Sequence, residues 1–274
     1  LQRTRPEPTY RLNSPAHTLV QSLLQQDVIY KKLAGDARGS HCLETCIQLS
    51  PEFVLQQMIQ TAKLNERTVL QEYVQGDISN FVVQALLTRI QSTSVTHTWI
   101  QAIIMDHGTV LLPQQQQRRG IVWRLVELVH DRVPDCRDDV VRWMMASSGS
   151  SCKSWDTLVQ ELLNVRISDD DSEQQRVTLD PAGARTVYHL LQFHDATVDS
   201  VLKQQQLHAL AKDALGSRCI LDGLIESGNA HRLVGALQGH WASLAMDRVG
   251  HHCVLNVWDR LTDKDRRLVL AREL

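Results

Sequence analysis

The residues that offer metal chemistry most directly are His251, His252 and Cys253, three potential ligands in a row. Consecutive residues on a helix point about 100° apart, so these three cannot close around one ion without further ligands. Ser147 to Ser151 with Cys152 supply potential nucleophiles, but no matched His and Asp arrangement accompanies them. The acidic stretch Ser168-Asp169-Asp170-Asp171-Ser172-Glu173 has the carboxylates for a cation, and it reads as a solvated linker. No phosphate-cradling glycine motif occurs. None of the six cysteines forms a CxxC pair. The expectation is a protein that is not an enzyme, with no catalytic residues, no metal and no cofactor.

The elements that hold these residues form a repeat. Asp213-Ala-Leu-Gly216-Ser217-Arg218-Cys219-Ile220 matches Asp247-Arg-Val-Gly250-His251-His252-Cys253-Val254, with the glycines 34 positions apart. Asp180-Pro-Ala-Gly183 lies 33 residues earlier, and Asp36-Ala-Arg-Gly39 has the same frame. Asp77-Ile78 leads to Ser79 in the glycine position, and Pro15-Ala16-His17-Thr18-Leu19 fits without the Asp. Such self-similarity marks a repeat architecture.

Counted from the glycine position, the third, fourth, seventh and eighth residues are apolar or small. They are Thr18, Leu19, Ser22 and Leu23; Cys42, Leu43, Cys46 and Ile47; Val82, Val83, Leu86 and Leu87. Later copies give Thr186, Val187, Leu190 and Leu191; Cys219, Ile220, Gly223 and Leu224; Cys253, Val254, Val257 and Trp258. This spacing is one buried face of an α-helix. It makes Cys42, Cys219 and Cys253 core residues, and the Asp before the glycine an N-cap. The first, second and fifth positions fall away from that face, and in a solenoid they line one continuous surface.

Between the copies, Val54 to Leu64, Val201 to Lys212 and His231 to Met246 read as preceding helices, giving two helices per repeat. Residues 119–130 suggest a worn copy with Arg118 in the glycine position, and 137–146 and 155–165 read as helices. The fold class expected is all-α, a curved α-solenoid, forming a single domain over 1–274. Irregular insertions are expected near 106–118, which holds Pro113-Gln114-Gln115-Gln116-Gln117, and near 166–178.

Composition agrees with a helical globular chain. Of 274 residues 43% are hydrophobic and 22% charged, with only 7 Pro and 13 Gly. Apolar runs fall far short of the roughly 20 residues that span a bilayer. The lack of paired cysteine motifs in a chain this long suggests a reducing compartment. The first residue is Leu1, not Met, and the chain is expected to be a fragment of a longer protein. The net charge of −2 argues against a dedicated nucleic-acid binder.

The residues Gly39-Ser40-His41-Cys42-Leu43-Glu44 and Ser79-Asn80-Phe81-Val82-Val83-Gln84 resemble the second helices of Pumilio (PUF) repeats. With Ala245-Met246-Asp247-Arg248-Val249-Gly250 and Trp258, they most resemble the divergent nucleolar Pumilio-like group. The resemblance covers most of the chain and is weak over 100–175. It implies that each repeat offers three side chains to one RNA base: two read its edge, at the first and fifth positions, and the second stacks on it. Asn80, Phe81 and Gln84 match a uracil-type triplet. Ser40, His41 and Glu44 match a guanine-type one. A carboxylate accepts and an amide both donates and accepts, so the assignment is chemically sound.

The other copies depart from this pattern. Ala184, Arg185 and Tyr188 lack one polar reader; Ser217 and Arg218 are followed by Leu221, and His251 and His252 by Leu255. Arg185, Arg218 and His252 can still stack or reach phosphate. The resemblance therefore implies relaxed sequence reading. It also implies a role on pre-ribosomal RNA in small-subunit maturation, in the nucleus and nucleolus, with single-stranded or structured RNA as partner and other ribosome-assembly proteins as further candidates. No membrane or small-molecule substrate is expected. The competing expectation is a HEAT- or armadillo-like protein-binding scaffold without RNA.

Overall fold

The structure is a computed structural model that describes Thr18, Ser22, and residues 27–106, 119–147, 154–168, 176–262 and 264–274. These form two compact units, one holding 27–106 and 119–128, the other holding the described residues from 129 onward. Both are built from helices. The first contains α1 (Asp27–Gly35), α2 (Ala37–Leu49), α3 (Glu52–Thr61), α4 (Arg67–Gln75), α5 (Ser79–Arg89) and α6 (Thr93–Asp106). The helix α7 (Arg119–Asp131) runs on from it into the second.

The second unit continues with a 3-10 turn (Pro134–Cys136), α8 (Arg137–Ser147) and α9 (Trp155–Leu163). A two-stranded antiparallel hairpin follows, β1 (Arg166–Ser168) with β2 (Arg176–Thr178), in which Ile167 faces Val177. Then come α10 (Pro181–Leu191), α11 (Asp195–Leu202) and α12 (Leu207–Lys212). Ala214–Gly216, Ser217–Leu221 and Asp222–Glu226 run on as one helix, α13, whose central segment is a π-type turn. The unit ends with α14 (Ala230–Ala236), α15 (Trp241–Ala245), α16 (Gly250–Arg260) and α17 (Lys264–Glu273).

The repeat holds three helices, not two. The stretch expected over Val54 to Leu64 is one helix, followed by a second that was not expected, whereas Val201 to Lys212 and His231 to Met246 are each broken by a turn. Glu52–Thr61 ends at Lys63, whose φ of 54° is left-handed, before Arg67–Gln75 begins. Ala230–Ala236 is separated from Trp241–Ala245 by a turn through Gly239 at φ 83°. Asp195–Leu202 likewise stops short of Leu207–Lys212. Apolar periodicity carries through these turns because both short helices bury residues in one core, among them Leu233, Val234, Leu237, Trp241 and Leu244. The Trp241 indole N–H donates to Val234 O at 3.2 Å across the break.

The recurring glycine is a packing device. A β-carbon on Gly39 would stand 2.5 Å from Leu33 O, and one on Gly250 would stand 2.9 Å from Leu244 O. At Gly183 and Gly216 the carbonyl oxygens of Leu162 and Leu210 occupy the same place. In these four repeats the last helix thus starts against a leucine carbonyl that precedes it, at a spacing only glycine permits. The Asp three residues earlier caps it, as the sequence suggested. Asp36 Oδ1 accepts from Gly39 N at 2.8 Å, Asp180 Oδ1 from Gly183 N at 2.6 Å, Asp213 Oδ1 from Gly216 N at 2.8 Å and Asp247 Oδ1 from Gly250 N at 2.8 Å. In the Ser79 copy, Gly76 rather than Asp77 stands at the cap: Asn80 N bonds Gly76 O just as Ser40 N bonds Asp36 O.

In three repeats Leu and Gly are six residues apart, whereas 21 residues separate Leu162 from Gly183. The hairpin is therefore an insertion between the second and third helices of one repeat. Residues 107–118, including the glutamine tract, lie outside the described residues, as do 169–175 and Cys152. The worn copy is helical from Arg119, with Ile121, Val122, Leu125 and Val126 buried. Among the described residues, no helix is long and apolar enough to cross a membrane.

The core frame needs one correction. Cys253 is fully buried and Cys219 half-buried, but Cys42, Thr18, Ser22 and Trp258 are exposed. The third position faces the preceding repeat: Cys219 feels the charge of Arg185 on α10, and Cys253 that of Asp222 on α13.

Candidate functional site

The third helices of successive repeats lie side by side: α2 with α5, α10 with α13, and α13 with α16. The residue two after the glycine position is exposed in five copies: His41 on α2, Phe81 on α5, Arg185 on α10, Arg218 on α13 and His252 on α16. All five end in a flat group, an aromatic ring or a guanidinium. The His41 side chain is 82% exposed and Phe81 is 38% exposed.

The position before these differs from expectation. Ser40, Asn80 and Ser217 were expected on the surface with the readers, and all three are buried. Each sits in the first turn of its helix, next to the residue that meets the carbonyl six residues back. Ser40 Oγ donates to Ala37 O at 3.2 Å. Asn80 is more deeply committed. Its Nδ2 donates to Gly76 O and Asp77 O, both at 2.8 Å, and its Oδ1 accepts from Gln84 Nε2 at 2.8 Å. His251 is half-buried, with its Nδ1 3.0 Å from Asp247 O.

The fifth position is half-buried where it is polar. Glu44 places Oε1 3.5 Å from His41 Nδ1. Gln84 lies over Gly120 of α7, where a β-carbon would collide with its amide. Tyr188 gives its hydroxyl hydrogen to Glu226 at 2.5 Å; burial, then that bond, raise its pKa above the usual tyrosine range. Its ring and Leu191 close over Gly223, which has no side chain to keep α13 away.

In the second unit the structure brings Ser217, Arg218 and His252 together. With Ala214, Asp222, Arg248, Val249 and Asn256 they line a groove of about 420 Å³ between α13 and α16. Asp222, Asn256 and Arg248 were not anticipated. The cause is the π-type turn, in which Asp222 N donates to Ser217 O, five residues back. One extra residue enters the turn, so Leu221 is buried while Asp222 reaches the groove. Nothing in the residue types of Ser217 to Leu221 announces that extra residue. Asp222 Oδ1 accepts from Asn256 Nδ2 at 2.9 Å. Burial raises the Asp222 pKa; the Asn256 bond and the charges of His252 and Arg218 oppose the rise.

The His251 and His252 rings lie 4.0 Å apart between centroids, and burial pushes the adjacent Cys253 thiol up to about 12. Among the described residues, no three His, Cys, Asp or Glu side chains converge on a point that would hold a metal.

Short triple-helix repeats, glycine-seated third helices and an exposed planar residue at one fixed position of five repeats define a Pumilio-type α-solenoid. The chain belongs to the NOP9-like PUF repeat domain family, whose model matches residues 14–274. Solved structures share the fold. The structure of APUM23-GGAGUUGACGG superposes with a TM-score of 0.69 at 17% identity, covering 96% of this chain and 49% of that one. PUF-8 in complex with PBE-RNA gives 0.58 at 15% identity, covering 91% and 64%. The RNA-binding domain of yeast Puf5p bound to SMX2 RNA gives 0.51 at 15%, covering 93% and 64%. The chain therefore spans about half the length of the APUM23 chain. No curated protein sequence matches it significantly.

Proposed function

We propose that this chain is an RNA-binding PUF scaffold of relaxed sequence specificity and not an enzyme. The observation that carries the reading is the planar, exposed side chain at one fixed position of five repeats, His41, Phe81, Arg185, Arg218 and His252. A flat ring or guanidinium stacks on a base regardless of its identity, contributing about 1–3 kcal/mol per base. Specificity must come from neighbours, and these are uneven: Glu44 and Gln84 are polar, Tyr188 is bonded to Glu226, and Leu255 is apolar. The RNA bound in the PUF-8 and Puf5p structures supports the substrate class.

Membership of the NOP9-like family supports a finer reading: pre-rRNA as the ligand, a part in small ribosomal subunit biogenesis, nucleolar location, and ribosome-assembly proteins as neighbours. The test is fluorescence-anisotropy titration with short single-stranded RNAs at two salt concentrations. Binding should weaken with salt, and His41→Ala and Phe81→Ala should weaken it with the fold intact. Absence of binding to any RNA pool at low salt would leave the protein-binding scaffold as the better account.

A further inference from the structure

The groove between α13 and α16 sits where a linear repeat frame places an apolar reader. Counting from Gly216, the fifth residue is Leu221, which cannot bond a base edge and is fully buried. The π-type turn over Ser217–Leu221 adds one residue before that point. Beyond it Leu221 and Ile225 join Ile220, Gly223 and Leu224 in the core, and Asp222 takes the outward place. The site thus acquires Ser217, Arg218 and Asp222, in the order hydroxyl, planar cation, carboxylate.

We propose that Asp222 is the base-edge reader of this repeat and that it selects guanine. This rests on the RNA-binding reading above. An ionised carboxylate accepts and cannot donate. Guanine alone among the four bases offers two adjacent donors on its pairing edge, N1–H and the 2-amino group. Uracil presents one donor between two acceptors, and adenine and cytosine each present a donor beside an acceptor. A carboxylate therefore favours guanine and meets repulsion from a carbonyl or ring-nitrogen lone pair on the other three.

The surroundings suit the task. Arg218 and His252, the exposed planar residues of adjacent repeats, both line the groove in which Asp222 lies, so a base entering it meets two flat groups. Arg248, on the same rim, carries the charge that a phosphate needs. Asn256 holds one carboxylate oxygen at 2.9 Å, which fixes the rotamer of Asp222. Among the described residues that is the one hydrogen bond the Asp222 side chain makes. The second oxygen is available to a ligand.

The experiment is a binding titration of the intact chain against RNAs in which each position in turn carries all four bases. One position should prefer guanine, and Asp222→Asn should cut that preference over adenine about tenfold, the effect of losing a charge-assisted hydrogen bond. Affinity for RNAs bearing another base there should change less than about threefold. Inosine in place of that guanine removes the 2-amino donor without altering the protein, and should weaken wild-type binding but not Asp222→Asn binding. RNA binding with a base profile unchanged by Asp222→Asn, or with guanine and inosine equivalent for the wild type at every position, overturns the assignment while leaving the RNA-binding reading standing. Failure of the wild type to bind any RNA overturns both.

Discussion

The hydroxyl of Ser79 donates to the carbonyl oxygen of Tyr73 at 3.0 Å, six residues back along the chain. In the repeats that keep glycine, the carbonyls of Leu33, Leu210 and Leu244 stand at that same separation and press directly on the glycine. Two solutions therefore serve one junction, either a glycine that lets the carbonyl approach or a serine that bonds it. The prediction is asymmetric. Gly216→Ala should cost about 1–3 kcal/mol, the range for forcing extra atoms into a packed contact. Ser79→Ala should cost about 1 kcal/mol for the lost bond. Chemical denaturation of the two variants decides the matter, and equal costs would contradict the junction described here.

Asn80 and Phe81 are neighbours in sequence with opposite duties. Asn80 is fully buried and spends its amide on Gly76 O, Asp77 O and Gln84, while Phe81 is more than a third exposed. Asn80→Ala removes three hydrogen bonds and leaves buried partners unmade, so it should lower stability by about 1–3 kcal/mol. Phe81→Ala should cost less than about 1 kcal/mol in stability. If the stacking role holds, it should weaken RNA binding by about 1–3 kcal/mol. Thermal melts beside anisotropy titrations separate the two effects. An Asn80→Ala variant as stable as wild type would show that the amide network contributes nothing.

How much of this was legible beforehand follows from what each signal measures. The recurring Asp and Gly are local: one caps, the other seats the third helix, and both work within six residues, so the sequence carries them openly. The 3-4-7-8 pattern reports burial and located the buried face, but it cannot see a turn between two short helices that share one core. Lys63 in a left-handed conformation shows this, since no residue type there signals the break. The first position was misjudged because Ser40, Asn80 and Ser217 are polar, and polarity was read as exposure; their partners are backbone carbonyls and a neighbouring amide, which composition does not display. Asp222 was missed because a frame counted in whole α-turns has no place for the extra residue between Ser217 and Asp222.

The capping aspartates make a third test. Asp213 accepts from Leu215 N and Gly216 N at 2.9 and 2.8 Å, at the start of the helix that carries Ser217, Arg218 and Asp222. Asp213→Ala should destabilise by about 1 kcal/mol, whereas Asp213→Asn or Asp213→Ser should restore most of it. Denaturant midpoints for the three variants would check this, and no difference between Ala and Asn would show the cap to be idle.

Two histidines couple stability to pH. His194 caps α11 through Nδ1, which lies 3.3 Å from Thr197 N and 2.8 Å from Thr197 Oγ1, with the Trp155 ring 4.1 Å away between centroids. A cap of this kind needs an unprotonated Nδ1, and burial lowers the His194 pKa below its usual 6.5. His208 stacks on His240 at 4.5 Å and is lowered by burial, then by His240 and Lys212. In the unfolded chain both groups bind protons near the ordinary histidine value; in the folded chain they do so only at lower pH. The unfolded state therefore gains protons first as pH falls, and stability present above about 6.5 declines as pH drops through that value toward the folded pKa values. Thermal melts at about pH 7.5 and about pH 5.5 should show a lower midpoint in acid, and His194→Asn, which keeps a capping oxygen but does not titrate, should reduce the difference. A midpoint independent of pH over that interval, or a slope the same in wild type and His194→Asn, would mean that the imidazole at the start of α11 does not sense protons.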